Sequence, residues 1–202
     1  MKEYMYIALS AIFINNFVLA RFLGLCPFIG VSKNLDAAVG MGFAVTFVMT
    51  IASAVTWLLQ TYLLTPEFIV FGTTVNLQFM QTVTYILVIA TLVQLVEMFL
   101  NRFSPSLYQA LGIYLPLITT NCAILGVALI NVKDFGSSFM KSSFNGFCAG
   151  IGFTVAIILM ASIRERLDRA PVPAIFKGAP AAFVASGLLA LIFSAFGSLS
   201  LQ

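Results

Sequence analysis

The chain has 202 residues, of which 61% are hydrophobic and 8% charged, and its net charge of +3 gives no indication of a nucleic-acid partner. A soluble domain carries about 25% charged residues, so this composition excludes a soluble protein and predicts one integral membrane domain over residues 1–202, embedded in the lipid bilayer. Histidine is absent, which excludes a self-contained Ser-His-Asp hydrolase and a histidine-ligated zinc or haem site.

Six apolar segments are long enough to cross a bilayer as helices, which takes about 20 mostly apolar residues. We therefore expect an all-α polytopic membrane protein with six transmembrane helices, at residues 4–31, 36–62, 81–100, 105–131, 144–163 and 179–199.

The first and fourth segments contain residues that disfavour a continuous helix. Pro27 has no N–H and disfavours helix at the residue before it, so the first helix should break or end near Cys26. The fourth segment contains Pro116 and the polar run 119–121. Irregular backbone at membrane depth survives only where protein or a water-filled cavity covers it. We expect helices 1 and 4 to be broken and to face the interior of an assembly.

Two parts of the chain repeat a short pattern. Cys26 and Cys122 are each followed by Gly-Val four and five residues later, and residues 40–45 resemble residues 150–155. The glycine stretch follows the cysteine after 14 residues in the first half (40 − 26) and after 28 in the second (150 − 122), which predicts a longer loop near 131–143.

Each half of the chain would hold three spans. Three is an odd number, so the two copies must lie in opposite orientations. The sequence therefore predicts inverted repeats over about residues 1–101 and 105–202, an architecture that places a site near the midplane on broken helices.

Lysine and arginine are distributed unevenly over the connecting segments. With the N-terminus outside, seven of them fall on the inner side and three, at Lys2, Lys133 and Lys141, on the outer side. Several of the seven lie in the charged run 163–169, which we expect to be a cytoplasmic loop that anchors the topology. Both termini are predicted to lie on the outer side.

The three cysteines are Cys26, Cys122 and Cys148. Cys148 lies among small residues such as Gly146 and Gly150, a pattern typical of close helix packing, so we interpret it as a packing residue. Zinc and iron–sulfur sites need four soft ligands, and Cys26 and Cys122 supply two. This pair is therefore inert, forms a disulfide, or is completed by thiolates from a second chain.

Ionisable residues inside a span are functional candidates because a charge in the membrane is costly. Glu97 lies in an apolar run, and it is either an interfacial carboxylate near Arg102 or part of an ion pathway. Arg21 is a candidate partner for it. Asp36 is expected to flank the second span as an acid at a helix N-terminus.

Residues 15–28 and 111–123 closely resemble the A subunits of bacterial Rnf complexes, the counterparts of the E subunits of Na⁺-translocating NADH:quinone reductases. Residues 96–98 and 163–167 also resemble this family. The resemblance implies a membrane subunit of an ion-translocating ferredoxin:NAD⁺ oxidoreductase, a redox-driven translocase of the bacterial inner membrane, with no complete active site in this chain alone. Electron flow from ferredoxin to NAD⁺ would be coupled to transport of Na⁺ or H⁺.

The same resemblance implies partners and cofactors. A homologous six-helix subunit of opposite orientation, of the Rnf E type, would pair with this chain, beside other Rnf subunits that carry flavins and further iron–sulfur clusters. A [2Fe–2S] cluster between the pair would take half of its ligands from Cys26 and Cys122. Thiolates at membrane depth need N–H groups around the sulfurs, and the residues placed to allow this are Gly24, Leu25, Thr119, Thr120 and Asn121.

A secondary transporter or channel is the alternative function, because inverted repeats also suit that class. Its broken helices would bind a small solute, and the cysteines would be incidental. A purely structural assembly protein is a third class, in which replacing Cys26 would leave electron transfer intact. A cluster-bearing complex is expected to show visible absorbance that dithionite bleaches.

Overall fold

A computed structural model describes residues 2–64, 68–70, 73–75, 80–103, 115–136, 138–171, 173 and 176–199. Residues 2–31, called the first segment below, contain α1 (Lys2–Leu9), a π-helical turn (Ser10–Ile14) and α2 (Leu25–Val31). The remaining elements are α3 (Leu35–Leu59), a second π-helical turn (Gln60–Leu64), β1 (Phe68–Val70), β2 (Thr73–Val75), α4 (Gln81–Phe103), α5 (Leu115–Thr119), α6 (Cys122–Phe135), α7 (Phe139–Arg169) and α8 (Ala179–Leu199).

Within the described residues, four helical segments are long and apolar enough to cross a bilayer: Leu35–Tyr62, Gln81–Phe99, Pro116–Phe135 and Phe139–Arg169. They coincide with the second to fifth predicted spans, so the predictions of a helical chain and of membrane-spanning segments are confirmed. The sixth predicted span corresponds to α8, whose apolar part is shorter. The antiparallel hairpin of β1 and β2 was not predicted. The start of the fourth predicted span, 105–114, lies outside the described residues.

The first segment runs alongside α7 from one end to the other. Near its start, the Glu3 carboxylate lies 2.9 Å from Nζ of Lys141. Further along, Asn16 donates a 2.9 Å hydrogen bond to the carbonyl of Gly152, and Arg164 donates to a carbonyl near the end of α2. A helix rises 1.5 Å per residue, so positions 141 and 164 are about 35 Å apart, slightly more than the bilayer core. The first segment therefore extends over a membrane thickness although its helix is interrupted.

The helices α3 and α7 pack antiparallel through small residues. A Cβ at Gly42 would lie 2.5 Å from the Thr154 side chain, and a Cβ at Gly150 would lie 2.6 Å from Cα of Thr46. The two threonine hydroxyls are 3.1 Å apart, and each also hydrogen-bonds the carbonyl one turn earlier in its own helix. The two glycine stretches that match in sequence thus pack directly against each other, as their small residues predict.

The interruption of the first helix differs from the prediction. It lies at residues 15–24, before Cys26, and α2 begins at Leu25. Pro27 consequently lies in the first helical turn, where its missing N–H would have had no helical partner. Positive φ angles at Phe22 (+55°) and Gly24 (+81°) turn the chain out of helical geometry instead. The fourth helix is broken as predicted, between α5 and α6.

The prediction of a longer loop near 131–143 is wrong. The helix α6 continues to Phe135 and α7 begins at Phe139, so the additional residues of the second half lengthen these two helices. Asn131 is fully buried, and its Nδ2 donates to the carbonyl of Ser142 over 3.1 Å. Polar residues that are typical of a loop lie inside helices here because they hydrogen-bond one another between α6 and α7.

The prediction of a loop at 163–169 is also wrong, because this run forms the last turns of α7. Arg169 donates to Glu165 one turn earlier, the spacing at which side chains meet on a helix surface. Arg166 is exposed, whereas Arg164 is buried. The charged run is therefore a helical end with one buried face.

Candidate functional site

The two cysteine stretches contact each other in the folded protein. The main-chain N–H of Gly24 donates a hydrogen bond to Sγ of Cys122 over 2.9 Å. A Cβ at Gly24 would lie 2.9 Å from Oδ1 of Asn121 and 3.0 Å from Cβ of Ala123. Its φ of +81° is a conformation that residues with a side chain rarely adopt. Glycine is therefore required here both by the backbone turn and by the close approach to the second stretch.

The glycines that follow the two cysteines pack in a reciprocal way. Gly30 lies four residues after Cys26, and a Cβ there would be 3.6 Å from Cδ1 of Leu117 in α5. Gly126 lies four residues after Cys122, and a Cβ there would be 2.5 Å from Cδ1 of Leu23 in the first interruption. Each copy of the repeated pattern thus contacts the segment that precedes the other cysteine.

Both cysteines lie in the first turn of a helix that starts at an interruption. Cys26 is the second residue of α2, and Cys122 is the first residue of α6. Asn121 caps α6, because its Oδ1 accepts the N–H of Ala123 over 3.0 Å. The first N–H groups of a helix lack helical partners and carry partial positive charge. Each cysteine therefore lies beside main-chain donors that helical hydrogen bonding does not use.

The three thiols differ in accessibility. Cys26 and Cys122 are exposed, whereas Cys148 is 3% exposed inside α7, and all three are free thiols. Burial fits the packing role predicted for Cys148. No group of three or more His, Cys, Asp or Glu side chains converges within the part of the chain that the structure describes. Cys26 and Cys122 are therefore two accessible thiols, and no third or fourth side chain of these types joins them among the described residues.

The other residues predicted around the sulfurs have distinct environments. Leu25 is half-buried and packs against the apolar core. Thr120 is exposed and donates its hydroxyl to the carbonyl of Pro116, and Thr119 is half-buried. Nδ2 of Asn121 is buried and has no hydrogen-bond partner among the described residues. A buried donor without an acceptor is costly, so this amide, one residue before Cys122, is available to an acceptor from outside the chain.

Asn16 holds the first interruption in place, a role that the sequence did not indicate beyond its polarity. Its side chain is fully buried. Nδ2 donates to the carbonyls of Ile12 and Gly152 over 3.0 and 2.9 Å, and Oδ1 accepts the N–H of Val18 over 3.0 Å. The carboxamide therefore satisfies main-chain groups that the broken helix leaves without partners and joins them to α7.

Arg164 is the second functional candidate that sequence analysis missed. Its side chain is 8% exposed, and its Nη1 donates to the carbonyl of Ile29 and to Oγ of Ser32, the latter over 3.0 Å. Both acceptors lie at the C-terminal end of α2. The sequence offered no signal, because the spacing does not distinguish Arg164 from its exposed neighbours Arg166 and Arg169.

The remaining charged candidates lie on separate elements. Glu97 is half-buried within the apolar part of α4, and Arg102 is exposed in its last turn. Arg21 is exposed, with Cζ 5.7 Å from the ring centroid of Phe17, a cation–π contact within its own segment. Asp36 lies in the first turn of α3, which confirms its predicted place at a helix N-terminus.

The chain is similar to known proteins over nearly its full length. Residues 4–200 match the family described as "Rnf-Nqr subunit, membrane protein". The chain is 55% identical over 196 residues to the A subunit of the Na(+)-translocating ferredoxin:NAD(+) oxidoreductase complex of Acetobacterium woodii, with 97% of each chain covered. It is 53% and 49% identical to the A subunits of the ion-translocating oxidoreductase complexes of Syntrophotalea carbinolica and Proteus mirabilis, in each case over 199 residues and 98% of both chains.

Proposed function

The chain belongs to the Rnf-Nqr family of membrane subunits, and we propose that it is the A-type subunit of an ion-translocating ferredoxin:NAD⁺ oxidoreductase complex. Its full-length similarity to proteins with that description supports the proposal. The observation that carries it is the hydrogen bond from Gly24 to Cys122, because it joins the two cysteine stretches at one point. A redox centre held by both stretches requires that they meet.

We assign to Cys26 and Cys122 half of the ligands of a [2Fe–2S] cluster shared with a partner. Three features of the chain fit this group. Both thiols are exposed, and Cys122 already accepts a main-chain N–H, the type of bond that tunes iron–sulfur sites. The amide of Asn121 offers a further buried donor. Four thiolates are needed, so the other two would come from a homologous chain.

When bound, the cluster would supply one-electron transfer at membrane depth. The contribution of this chain is the environment of the sulfurs. Each cysteine lies in the first turn of its helix, and the N–H of Gly24 donates to the sulfur of Cys122. The buried ring of Phe153 packs beside Gly24, where a Cβ would approach it to 3.3 Å.

We propose that the chain crosses the membrane six times, in inverted repeats of about residues 1–101 and 105–202. In this arrangement α3 and α7 are equivalent helices of the two repeats. Their antiparallel packing supports opposite orientations of the copies. The reciprocal contacts of Gly30 and Gly126 support the same relationship at the cysteines. The first segment counts as one crossing because it runs along α7.

The proposed partner is a homologous six-helix subunit of opposite orientation, of the Rnf E type. Such a partner, related by a pseudo-twofold axis, would bring an equivalent cysteine pair to the same point. Apolar side chains on α4, including Val83 and Leu87, are more than half exposed and are suited to lipid or to a neighbouring protein. Ferredoxin and NAD⁺ would react on other Rnf subunits, which would also carry the flavins and further iron–sulfur clusters.

The proposed location is the bacterial inner membrane, with both termini on the outer side. The ion pair of Glu3 with Lys141 lies at one end of α7, and Arg164 lies at the other, beside the segment that leads to Lys33. This separation agrees with the lysine and arginine asymmetry of the sequence. Na⁺ or H⁺ would be the coupling ion, and Glu97 is the candidate for its pathway.

Iron analysis tests the proposal. The chain purified without its homologous partner is expected to contain no stable iron, and the co-expressed pair about two iron atoms, as a [2Fe–2S] cluster requires. Visible absorbance of the complex should be bleached by dithionite. Cys26→Ser and Cys122→Ser should each remove the iron and stop electron transfer across the membrane.

Cys148→Ser is the matched control, because Cys148 is buried in α7 away from any helix start. It should retain both iron and electron transfer. Full iron content after Cys26→Ser or Cys122→Ser would overturn the assignment, as would loss of iron in Cys148→Ser alone. A colourless co-expressed pair of this chain and its homologous partner would favour the alternative, a transporter or channel with incidental cysteines.

A further inference from the structure

Arg164 joins the end of α7 to the short helix that carries Cys26. Its Nη1 donates to the carbonyl of Ile29 in the last turn of α2 and to the hydroxyl of Ser32, the residue that ends the helix. Cys26 lies at the opposite end of the same helix. The last carbonyls of a helix have no helical donors, and a cation is favourable beside them. The guanidinium therefore caps α2 from a neighbouring helix.

The charge of Arg164 has no carboxylate partner in the described part of the chain. The ion pairs found there are Lys141 with Glu3 and Arg169 with Glu165. A buried cation without a counter-ion is costly unless hydrogen-bond acceptors offset its charge. Here the acceptors are those at the end of α2, so removing this helix from its place would leave Arg164 buried and unsatisfied. Helix and arginine stabilise each other's position.

The helix α2 needs such an anchor because it is short. It has seven residues, and isolated helices of this length are not stable in water. The chain before it contains the positive φ angles of Phe22 and Gly24. Inward-facing Phe28 and Val31 hold one side of α2 in the core, but apolar packing is not directional. The two hydrogen bonds from Nη1 of Arg164 fix the axial position of the helix as well.

We infer that Arg164 is a positioning residue for Cys26: by capping α2, it holds in place the helix that carries this thiol two residues after Gly24, where the second cysteine stretch is anchored. The inference rests on the proposed function in so far as that point is a cluster half-site. Arg166, two residues further on, is exposed and has the same charge. It is therefore a matched control for effects of charge near the membrane surface.

The test measures amide hydrogen exchange in the full-length chain in native membranes without its partner, because the Cys26 thiol is already exposed and its reactivity would not report a displacement of α2. Arg164→Gln should raise the exchange rate of the hydrogen-bonded amides of α2 by about tenfold, which loss of one hydrogen bond to a charged group allows. The exchange rates in α6, which carries Cys122, should stay within about twofold. Arg164→Lys should restore most of the wild-type rate, since an ammonium retains the charge and donor capacity. Arg166→Gln should change neither rate.

Ser32→Ala approaches the same contact from α2 and keeps the test valid if Arg164→Gln fails to insert. It should raise the exchange rate of the α2 amides by a smaller factor. Unchanged exchange in α2 in both variants would overturn the positioning role, and so would an equal rise in α2 and α6, which indicates general loosening. Failure of the proposed function can be distinguished from failure of this inference. The proposed function fails if iron persists after Cys26→Ser, and that result does not depend on Arg164.

Discussion

The main-chain N–H of Gly24 and the sulfur of Cys122 are joined by a 2.9 Å hydrogen bond between residues 98 positions apart in sequence. The bond links the first interruption to the start of α6. The donor belongs to the backbone of Gly24 and the acceptor to the side chain of Cys122. The bond is therefore lost when Cys122 is replaced, and it is weakened when the backbone at Gly24 is displaced.

Gly24→Ala should therefore impair both stability and iron content of the complex. A residue with a side chain at φ +81° costs about 1–3 kcal/mol, and the added Cβ would press on Asn121 and Ala123. Thermal unfolding of the purified complex and its iron content measure the two effects. Gly178→Ala is the control, because Gly178 has a φ of +88° but open space around a Cβ. Equal iron loss in both variants would contradict a specific role for the contact.

Glu97→Gln should slow ion-coupled turnover more than it lowers the amount of assembled complex. Glu97 is a half-buried carboxylate within the apolar part of α4, and intramembrane carboxylates commonly mark ion pathways. Turnover measured over a range of Na⁺ concentrations, normalised to complex content, reports this effect. Normal turnover at every concentration would identify Glu97 as an interfacial anchor near Arg102.

Topology reporters should place the C-terminus on the outer side of the inner membrane. A reporter inserted after Arg169, where α7 ends, should report the cytoplasm. The physical reason is the excess of lysine and arginine on the inner side. A cytoplasmic C-terminus would refute the orientation and the count of six crossings together.

Asn131→Ala should destabilise the protein by about 1–3 kcal/mol, the cost of leaving buried polar groups without partners. Asn131 donates to Oγ of Ser53 over 3.0 Å and accepts from Asn145 over 2.6 Å, so it links α3, α6 and α7. Thermal unfolding in detergent is the measurement. Asn15→Ala, which removes an exposed hydrogen bond to Ser10, should cost little.

A double variant sharpens this prediction. Asn131→Ala combined with Asn145→Ala should cost less than the sum of the two single changes, because both residues belong to one network. Strict additivity would mean that the two carboxamides act independently.

The helical class and several elements could be predicted from residues alone. The apolar composition indicates that the chain lies in a bilayer. There the hydrogen bonds of the backbone must be made within helices or a closed barrel. The ends of α3 and α8 agree closely with the predicted spans, because Asp36 starts one helix and Gly178 precedes the other. The break of the fourth helix follows from its polar residues before Cys122. These features are local, so the sequence contains their causes.

The predictions of secondary structure were wrong where a contact with a distant segment decides the local structure. The charged run 163–169 is helical because Arg164 is buried against α2, and residues near Asn131 are helical because their amides pair between helices. In each case the polar side chain finds its acceptor in a segment far away or across a turn. Composition cannot reveal that partner, so the same residues predicted loops.

The sequence by itself determined that the chain is a membrane protein, that two cysteine stretches match, and that Cys26 and Cys122 alone cannot complete a four-ligand site. Only the tertiary structure decided that these stretches touch, through Gly24 and Cys122, and that Arg164 caps the helix of Cys26. The physical reason is that hydrophobicity and backbone preference act along the chain. Hydrogen bonds between broken helices depend on which segments the fold brings within about 3 Å of each other.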